Sequence, residues 1–83
     1  MSCPWCKPGV EPKIPHEKAV DHEAPKGTPV VAHARTIDLP EGAYAQVFRG
    51  VIRKRIGSFA RVRDLATGKS YDLMIFECFE APP

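Results

Sequence analysis

Proline is distributed so unevenly along this 83-residue chain that it divides the sequence into two parts. Six of the nine prolines lie in residues 1–29, where each removes a backbone donor and favours an extended conformation in the residue before it. Those 29 residues hold nine apolar side chains, whereas residues 30–83 hold 27. The sequence therefore predicts an extended, proline-rich arm at 1–29 and a small folded domain at 30–83.

The length allows one domain with a thin core, because a short chain buries a small fraction of its unfolded surface. The arm has too few apolar groups to offset the entropy of ordering it. We therefore expect the arm to be mobile by itself and to become ordered on a metal ion or a partner.

Two strand-like runs flank the loop "LATG" near the end of the sequence. Gly68 in this loop can take the positive φ that other residues resist, which favours a tight hairpin. If Asp64 faces Lys69, apolar pairs share one face of the hairpin and opposite charges share the other. The sequence predicts strands at 58–64 and 70–79, with the cross-strand pairs Val62–Tyr71, Ala60–Leu73 and Arg61–Asp72.

The stretch 39–56 allows two interpretations. Its apolar residues follow helical spacing. Against a helix, Gly42 and Gly50 would each cost about 1 kcal/mol relative to alanine in a helix interior. The apolar residues are also largely β-branched or aromatic, and the "GS" pair that follows is a two-residue hairpin signal. We favour a strand at 43–56.

These elements predict a mainly β fold class, a small antiparallel meander or partial barrel of three or four strands that follows the arm. The first strand is expected at 30–38, where β-branched residues are frequent. The alternative is an α+β fold, with one helix at 39–56 packed on the C-terminal hairpin.

The segment "CPWC" contains Cys3 and Cys6, two of the three cysteines of the chain. It resembles the active-site tetrapeptide of glutaredoxins, a resemblance that implies a redox pair at the start of a helix. In that family the pair follows a strand, whereas here two residues precede it and Pro8 comes soon after. Length and element order therefore exclude a thioredoxin-like fold, and redox catalysis is disfavoured.

"CPWC" is also similar to the knuckle of zinc ribbons, in which a tight turn directs both thiolates at one ion. Zinc generally takes four ligands, and two histidines follow with the spacing C-x2-C-x9-H-x5-H. The sequence predicts a small, irregular zinc clip formed by Cys3, Cys6, His16 and His22. Cys78 or His33 can replace one histidine, which would fix the arm against the domain. The alternative is a disordered tip with two thiols and two solvated histidines.

Trp5 lies between these cysteines, on an arm with few apolar side chains. Tryptophan is enriched among residues that dominate protein interfaces, so we predict that Trp5 binds a protein partner or a neighbouring subunit. Simple exposure is the alternative. Such an arm can add to a neighbour's sheet or fill its groove.

Basic residues concentrate between positions 49 and 63, where no acidic residue occurs, although the net charge of the chain is only +2. Basic surfaces with aromatic side chains suit single-stranded nucleic acid, because cations follow the phosphates while rings stack on the bases. A solvated outer face of a sheet is the alternative. The candidate nucleic-acid-binding residues are Arg49, Arg53, Lys54, Arg55, Arg61 and Arg63.

Signatures of catalysis are missing from the sequence, which contains no phosphate-binding glycine loop, no H-E-x-x-H and no G-x-S-x-G. A secretory leader and an 18-residue apolar run are missing too, so we expect no membrane association and a cytoplasmic or, in a phage, virion-associated protein.

The leading prediction is a non-enzymatic binding or assembly module whose arm docks on a protein partner or on a neighbouring subunit of a homo-oligomer. A phage or bacterial structural or regulatory component would have this size. The alternative prediction is a small basic nucleic-acid-binding protein with a zinc clip in the arm.

Overall fold

The computed structural model describes residues 3, 5–6, 14–35 and 46–82, which form one antiparallel sheet with almost no helix. A 3-10 turn over Ile75–Glu77 joins the last two strands. The predicted mainly β fold class is confirmed. None of the described residues forms a helix long and apolar enough to cross a membrane. The five strands are β1 (Pro29–Ala34), β2 (Gln46–Ile56), β3 (Phe59–Asp64), β4 (Ser70–Met74) and β5 (Cys78–Glu80).

The strand order across the sheet is β4-β3-β2-β1-β5, so the first four strands form a meander and β5 returns to the far side of β1. In a flat sheet the two outer strands would lie four strand spacings apart, about 19 Å. The connection from Met74 to Cys78 spans at most about 14 Å. The sheet must therefore curl, with β4 and β5 as the two edges of one open sheet.

Both hairpins predicted from turn residues are confirmed. On β3 and β4 the register pairs Val62 with Tyr71 and Ala60 with Leu73, as the alternation of apolar residues predicted. Gly68 in the connecting loop has φ 77°. Between β2 and β3 the two-residue loop begins at Gly57, which has φ 58° in the position where a type II′ turn requires glycine.

The helical alternative for 39–56 is wrong for β2, and residues 39–45 of that proposed helix lie outside the described residues. The helical spacing has a different cause. Phe48 and Ile52 point into the core, and the pairing register then shifts between Ile52 and Lys54. Because this bulge interrupts the two-residue alternation, Ile56 lies on the outer face and is half exposed.

The predicted strand at 70–79 is divided into β4 and β5 by the 3-10 turn, which raises the number of strands from the three or four expected to five. The buried carboxylate of Glu77 explains this interruption. It accepts hydrogen bonds from the backbone N–H groups of Met74, at 3.0 Å, and of Arg35. The predicted first strand at 30–38 ends at Ala34 in the structure, and residues 36–38 lie outside the described residues.

The main core lies inside the curled sheet and includes residues from before β1. The segment over residues 18–20 runs beside β5, with the Val20 N–H donating to the Cys78 carbonyl at 3.1 Å and the Glu80 N–H donating to the Lys18 carbonyl at 2.7 Å. The arm residues described here thus add to the edge of their own sheet. The core consists of Val20, Ala24, Val30, Ala32, Ala34, Phe48, Ile52, Ala60, Val62, Leu73, Ile75 and Cys78.

A second buried region lies on the opposite, outer face of β1 and β5. Val31 and His33 alternate with the inward residues of β1, and Phe79 pairs with Val31 across the strands. His16 covers them, with its ring centroid 5.0 Å from that of Phe79. β1 is therefore buried on both faces, and Cys3 is buried as well.

Candidate metal centre

Four side chains that can ligate a metal ion lie close together on the outer face of β1. The two cysteines come from a tight turn in which the Cys6 N–H donates to the Cys3 carbonyl at 3.1 Å. One histidine lies on the segment that precedes β1, and the other lies on β1 itself. The group, whose four ligand atoms lie within 4.8 Å of one another, consists of Cys3, Cys6, His16 and His33.

Every pair of ligand atoms in this group is in contact. The Cys3 Sγ lies 2.9 Å from Cys6 Sγ, 3.0 Å from His16 Nε2 and 3.3 Å from His33 Nδ1. The Cys6 Sγ lies 3.3 Å from His16 Nε2 and 3.8 Å from His33 Nδ1. The two imidazole nitrogens are 3.1 Å apart. Six such distances define the edges of a small tetrahedron.

This tetrahedron is close to the size that zinc requires. Zinc–sulfur bonds of about 2.3 Å and zinc–nitrogen bonds of about 2.0–2.1 Å give tetrahedral edges of about 3.3–3.8 Å. The sulfur–sulfur edge, at 2.9 Å, is the shortest observed, and it would open by about 0.9 Å around the ion. It is also too long for a disulfide bond, which measures about 2.05 Å. The four residues can hold a metal ion.

A backbone carbonyl orients the imidazole of His16. Its Nδ1 lies 2.6 Å from the carbonyl oxygen of Ile14. Because a carbonyl oxygen only accepts, Nδ1 carries the proton and donates it, which leaves the lone pair of Nε2 directed at the two cysteines and His33. Metal-binding histidines in proteins commonly make this kind of outer hydrogen bond.

The thiol of Cys6 is a poor nucleophile as long as no cation is present. Burial first and the neighbouring Cys3 second raise the pKa of Cys6 to about 11. A thiol in this state is protonated at neutral pH, whereas redox and catalytic cysteines have a lowered pKa. A divalent cation supplies the positive charge that a thiolate pair would need here.

Three of the four predicted ligands are brought together, and His22 is not among them. His22 is exposed on the turn that follows Val20, outside the group of ligand atoms. His33, which the sequence offered as a substitute, occupies the fourth position. Cys78, the other substitute, is fully buried in the main core, where burial first and the charge of Glu77 second raise its pKa to about 12.

One sequence signal could have identified His33 directly. The run "PVVAHA" is almost continuously apolar, and such a run is typical of a strand that is buried on both faces. A histidine within it must be buried, and a buried imidazole requires a partner. His22, in contrast, lies among charged residues at 21–23.

Trp5 packs on its own chain. Its ring lies 5.6 Å from the ring of Phe76, and the guanidinium of Arg35 sits 4.3 Å above it. Its indole Nε1 is buried without an acceptor among the described residues. The partner-binding role of Trp5 stays a prediction.

The six basic residues suggested for nucleic-acid binding are divided between two environments. Five are exposed, and Arg61 among these forms an ion pair with Asp72, with its Nε 2.9 Å from Oδ1. Arg55 is half buried and donates to the carbonyls of Ala24 and Gly57. Arg55 therefore stabilises the contact between the arm and the sheet. The exposed residues are Arg49, Arg53, Lys54, Arg61 and Arg63.

Comparison with known proteins finds no match for this chain among family models, curated proteins or solved structures.

Proposed function

We propose that this protein is a small, non-enzymatic binding module whose fold is completed by one zinc ion bound to Cys3, Cys6, His16 and His33. The convergence of four donor atoms on one point carries this proposal. It keeps the binding role expected from the sequence. It assigns the arm a different task, which is to hold the metal against the module's own sheet.

A count of protons supports a cation at the centre. In the neutral imidazole of His16, Nε2 carries no proton, because Nδ1 donates to the carbonyl of Ile14. Cys3, Cys6 and the Nδ1 of His33 supply at most three protons, yet the four atoms make six short contacts. Hydrogen bonds therefore account for half of these contacts at most. One central cation accounts for all of them.

The donor set favours zinc and a structural role. Two thiolates and two imidazoles are the ligands of many structural zinc sites, and the two thiolates balance the charge of the ion. With four protein ligands, the coordination shell is complete. A catalytic zinc site instead keeps one position open for water or substrate. The proposed ion would thus stabilise the fold.

The metal would act by joining distant parts of the chain. Cys3 and Cys6 lie 27 or more residues before His33 in the sequence, and the arm between them is rich in proline. An ion that links the "CPWC" turn, His16 and β1 would keep the arm on the outer face of β1 and β5. The module would then be one rigid body whose remaining surface contacts a partner.

Metal binding is tested by preparing the protein without metal and titrating it with zinc, or with cobalt(II) as a spectroscopic probe. We expect one ion per chain and the cobalt absorption of tetrahedral sulfur–nitrogen coordination. His33→Ala should reduce the affinity strongly, because it removes one of four ligands. His22→Ala is the matched control and should bind like the unmodified protein.

Two results would contradict the proposal. One is a zinc content near zero in protein purified without chelators. The other is a loss of zinc binding in His22→Ala equal to that in His33→Ala. That result would support His22 as a ligand, as the spacing along the sequence predicted.

A further inference from the structure

We propose that the outer face of β2, β3 and β4 binds single-stranded nucleic acid, an inference that rests on the proposed binding module and names its partner. Burial alternates along β3, so that Ala60 and Val62 point into the core. The residues between them, Phe59, Arg61 and Arg63, are exposed on the outer face. The arm covers β1 and β5 on this side and leaves these residues of β2–β4 open to solvent.

A β-bulge concentrates positive charge at the centre of this face. The pairing register shifts between Ile52 and Lys54, so Arg53 and Lys54 together oppose Arg61 on β3. Like charges directly across a sheet destabilise it. Asp72 offsets one of the three cations through its ion pair with Arg61. The other two have no evident benefit for folding, which points to an anionic partner.

The remaining cations on the face are also without acidic partners. Among the described residues, Arg49, Arg53, Lys54 and Arg63 are exposed and form no ion pair with a carboxylate. Arg63 lies between Val51 on β2 and an uncharged serine on β4. Five cations and one carboxylate thus share this face, although the net charge of the chain is only +2. The electrostatic surface is complementary to a phosphate backbone.

Exposed apolar side chains lie next to these cations. Ile56 and Phe59 face each other across β2 and β3 and are 50% and 48% exposed. An exposed aromatic ring beside a row of cations can stack on a base while the cations contact the phosphates. Duplexes keep their base faces stacked inside, so a single strand fits this surface better.

Binding is measured with the zinc-loaded full-length chain and a short fluorescent oligothymidylate or the matching oligouridylate. Comparison of the two affinities shows whether the surface prefers DNA or RNA, which share the same phosphates and base faces. If about four cations contact phosphates, the logarithm of the affinity should fall with the logarithm of the salt concentration with a slope of about −3.

Two substitutions separate charge from stacking. Arg53→Ala with Lys54→Ala should weaken binding about tenfold and reduce the salt slope by about 1.4, because two phosphate contacts are lost. Lys18→Ala with Lys26→Ala removes the same charge from exposed positions on the arm and is the matched control. Phe59→Leu keeps an apolar side chain, removes the ring and should weaken binding about tenfold. Leu65→Ala, at an exposed apolar position in the β3–β4 loop, should have no effect.

Inorganic polyphosphate carries negative charge but no bases, and its affinity is measured for comparison. The inference is overturned if neither oligonucleotide binds at low salt, or if polyphosphate binds equally well and Phe59→Leu changes nothing. Equal weakening by the Lys18/Lys26 control would also overturn it. Zinc content, measured on the same samples, keeps the two proposals apart. Zinc-loaded protein without nucleic-acid binding contradicts this inference alone, whereas a chain that binds the oligonucleotides but takes up no zinc on titration contradicts the metal centre alone.

Discussion

The carbonyl oxygen of Ile14 determines which nitrogen of His16 faces the other donors. By accepting the Nδ1 proton at 2.6 Å, it holds the ring in the tautomer that binds a metal through Nε2. Two cysteines on one tight turn and two histidines on different segments are thus positioned for one ion by ordinary backbone geometry. The affinity of such a site would therefore depend also on residues that do not touch the ion.

At Gly50 on β2, the neighbouring strand β3 leaves no space for a side chain. A Cβ added there would lie 2.6 Å from Val62 Cγ1 and 2.7 Å from the carbonyl oxygen of Arg63. Overpacking of this kind forces side chains and backbone to shift. We expect Gly50→Ala to reduce the free energy of unfolding by about 1–3 kcal/mol, measured by urea denaturation.

The control for this prediction is Ser70→Ala on β4, an exposed strand position where the change should stay within about 0.5 kcal/mol. If Gly50→Ala is as stable as the unmodified protein, β2 and β3 are farther apart than the structure shows.

At the scale of elements, β1 connects the main core with the candidate metal centre. It pairs with β2 on one side and β5 on the other, and it contributes Val30 and Ala32 to the main core. Its opposite face carries Val31 and His33, so the same strand also contributes to the candidate metal centre. This arrangement makes the position of the site depend on the register of β1 with both neighbours.

The 3-10 turn between β4 and β5 depends on the buried carboxylate of Glu77. It accepts the N–H groups of Met74 and Arg35 and so joins the ends of β4 and β1. Glu77→Ala would leave both N–H groups without this acceptor. We expect it to lower the free energy of unfolding by about 2–3 kcal/mol, and Glu77→Gln to lower it less.

Glu80→Ala is the comparison variant, because the carboxylate of Glu80 is exposed and pairs with Lys18 at the surface. Surface ion pairs of this kind contribute about 0–1 kcal/mol. Equal effects of Glu77→Ala and Glu80→Ala on urea denaturation would contradict the role given to the turn.

At the scale of the whole molecule, the outer surface of the sheet is divided in two. The arm and the proposed ion cover β1 and β5, and the basic residues lie on β2–β4. Of the arm residues that the structure describes, Val20 and Ala24 join the main hydrophobic core and residues 14–18 do not, so the ion would supply much of the free energy that orders residues 14–18.

Removal of the metal should therefore destabilise the arm while β2–β4 stay folded. At a zinc concentration 1,000-fold above the dissociation constant, the ion adds about 4 kcal/mol of stability. We expect a chelator to lower the thermal midpoint by more than about 10 °C, because each kcal/mol shifts it by about 4–8 °C in a domain of this size. Hydrogen exchange should show lost protection of the arm amides while β2–β4 stay protected.

His33→Ala provides the control for chelation, since its thermal midpoint should not respond to the chelator. Unchanged protection of the arm in the chelated protein would mean that the arm is held by packing alone. That result would also contradict the expectation that the proline-rich arm needs a metal ion to become ordered.

The sequence by itself determined the features that depend on neighbours within a few residues. The alternation along 59–64 and 70–74, together with Gly68, was sufficient for the β3–β4 hairpin and its register, and the "GS" pair indicated the turn between β2 and β3, because turn conformation and side-chain direction are local properties. The "CPWC" spacing likewise identified two ligands that one tight turn brings together.

Tertiary structure decided the fourth candidate ligand and the position of the described arm residues. Spacing along the chain favoured His22, but burial of β1 on both faces placed His33 beside the cysteines and left His22 in solvent. The bulge after Ile52 similarly produced helical spacing within a strand. Both outcomes depend on which surfaces of distant segments pack together. The free energy of that burial is gained only when the whole fold assembles.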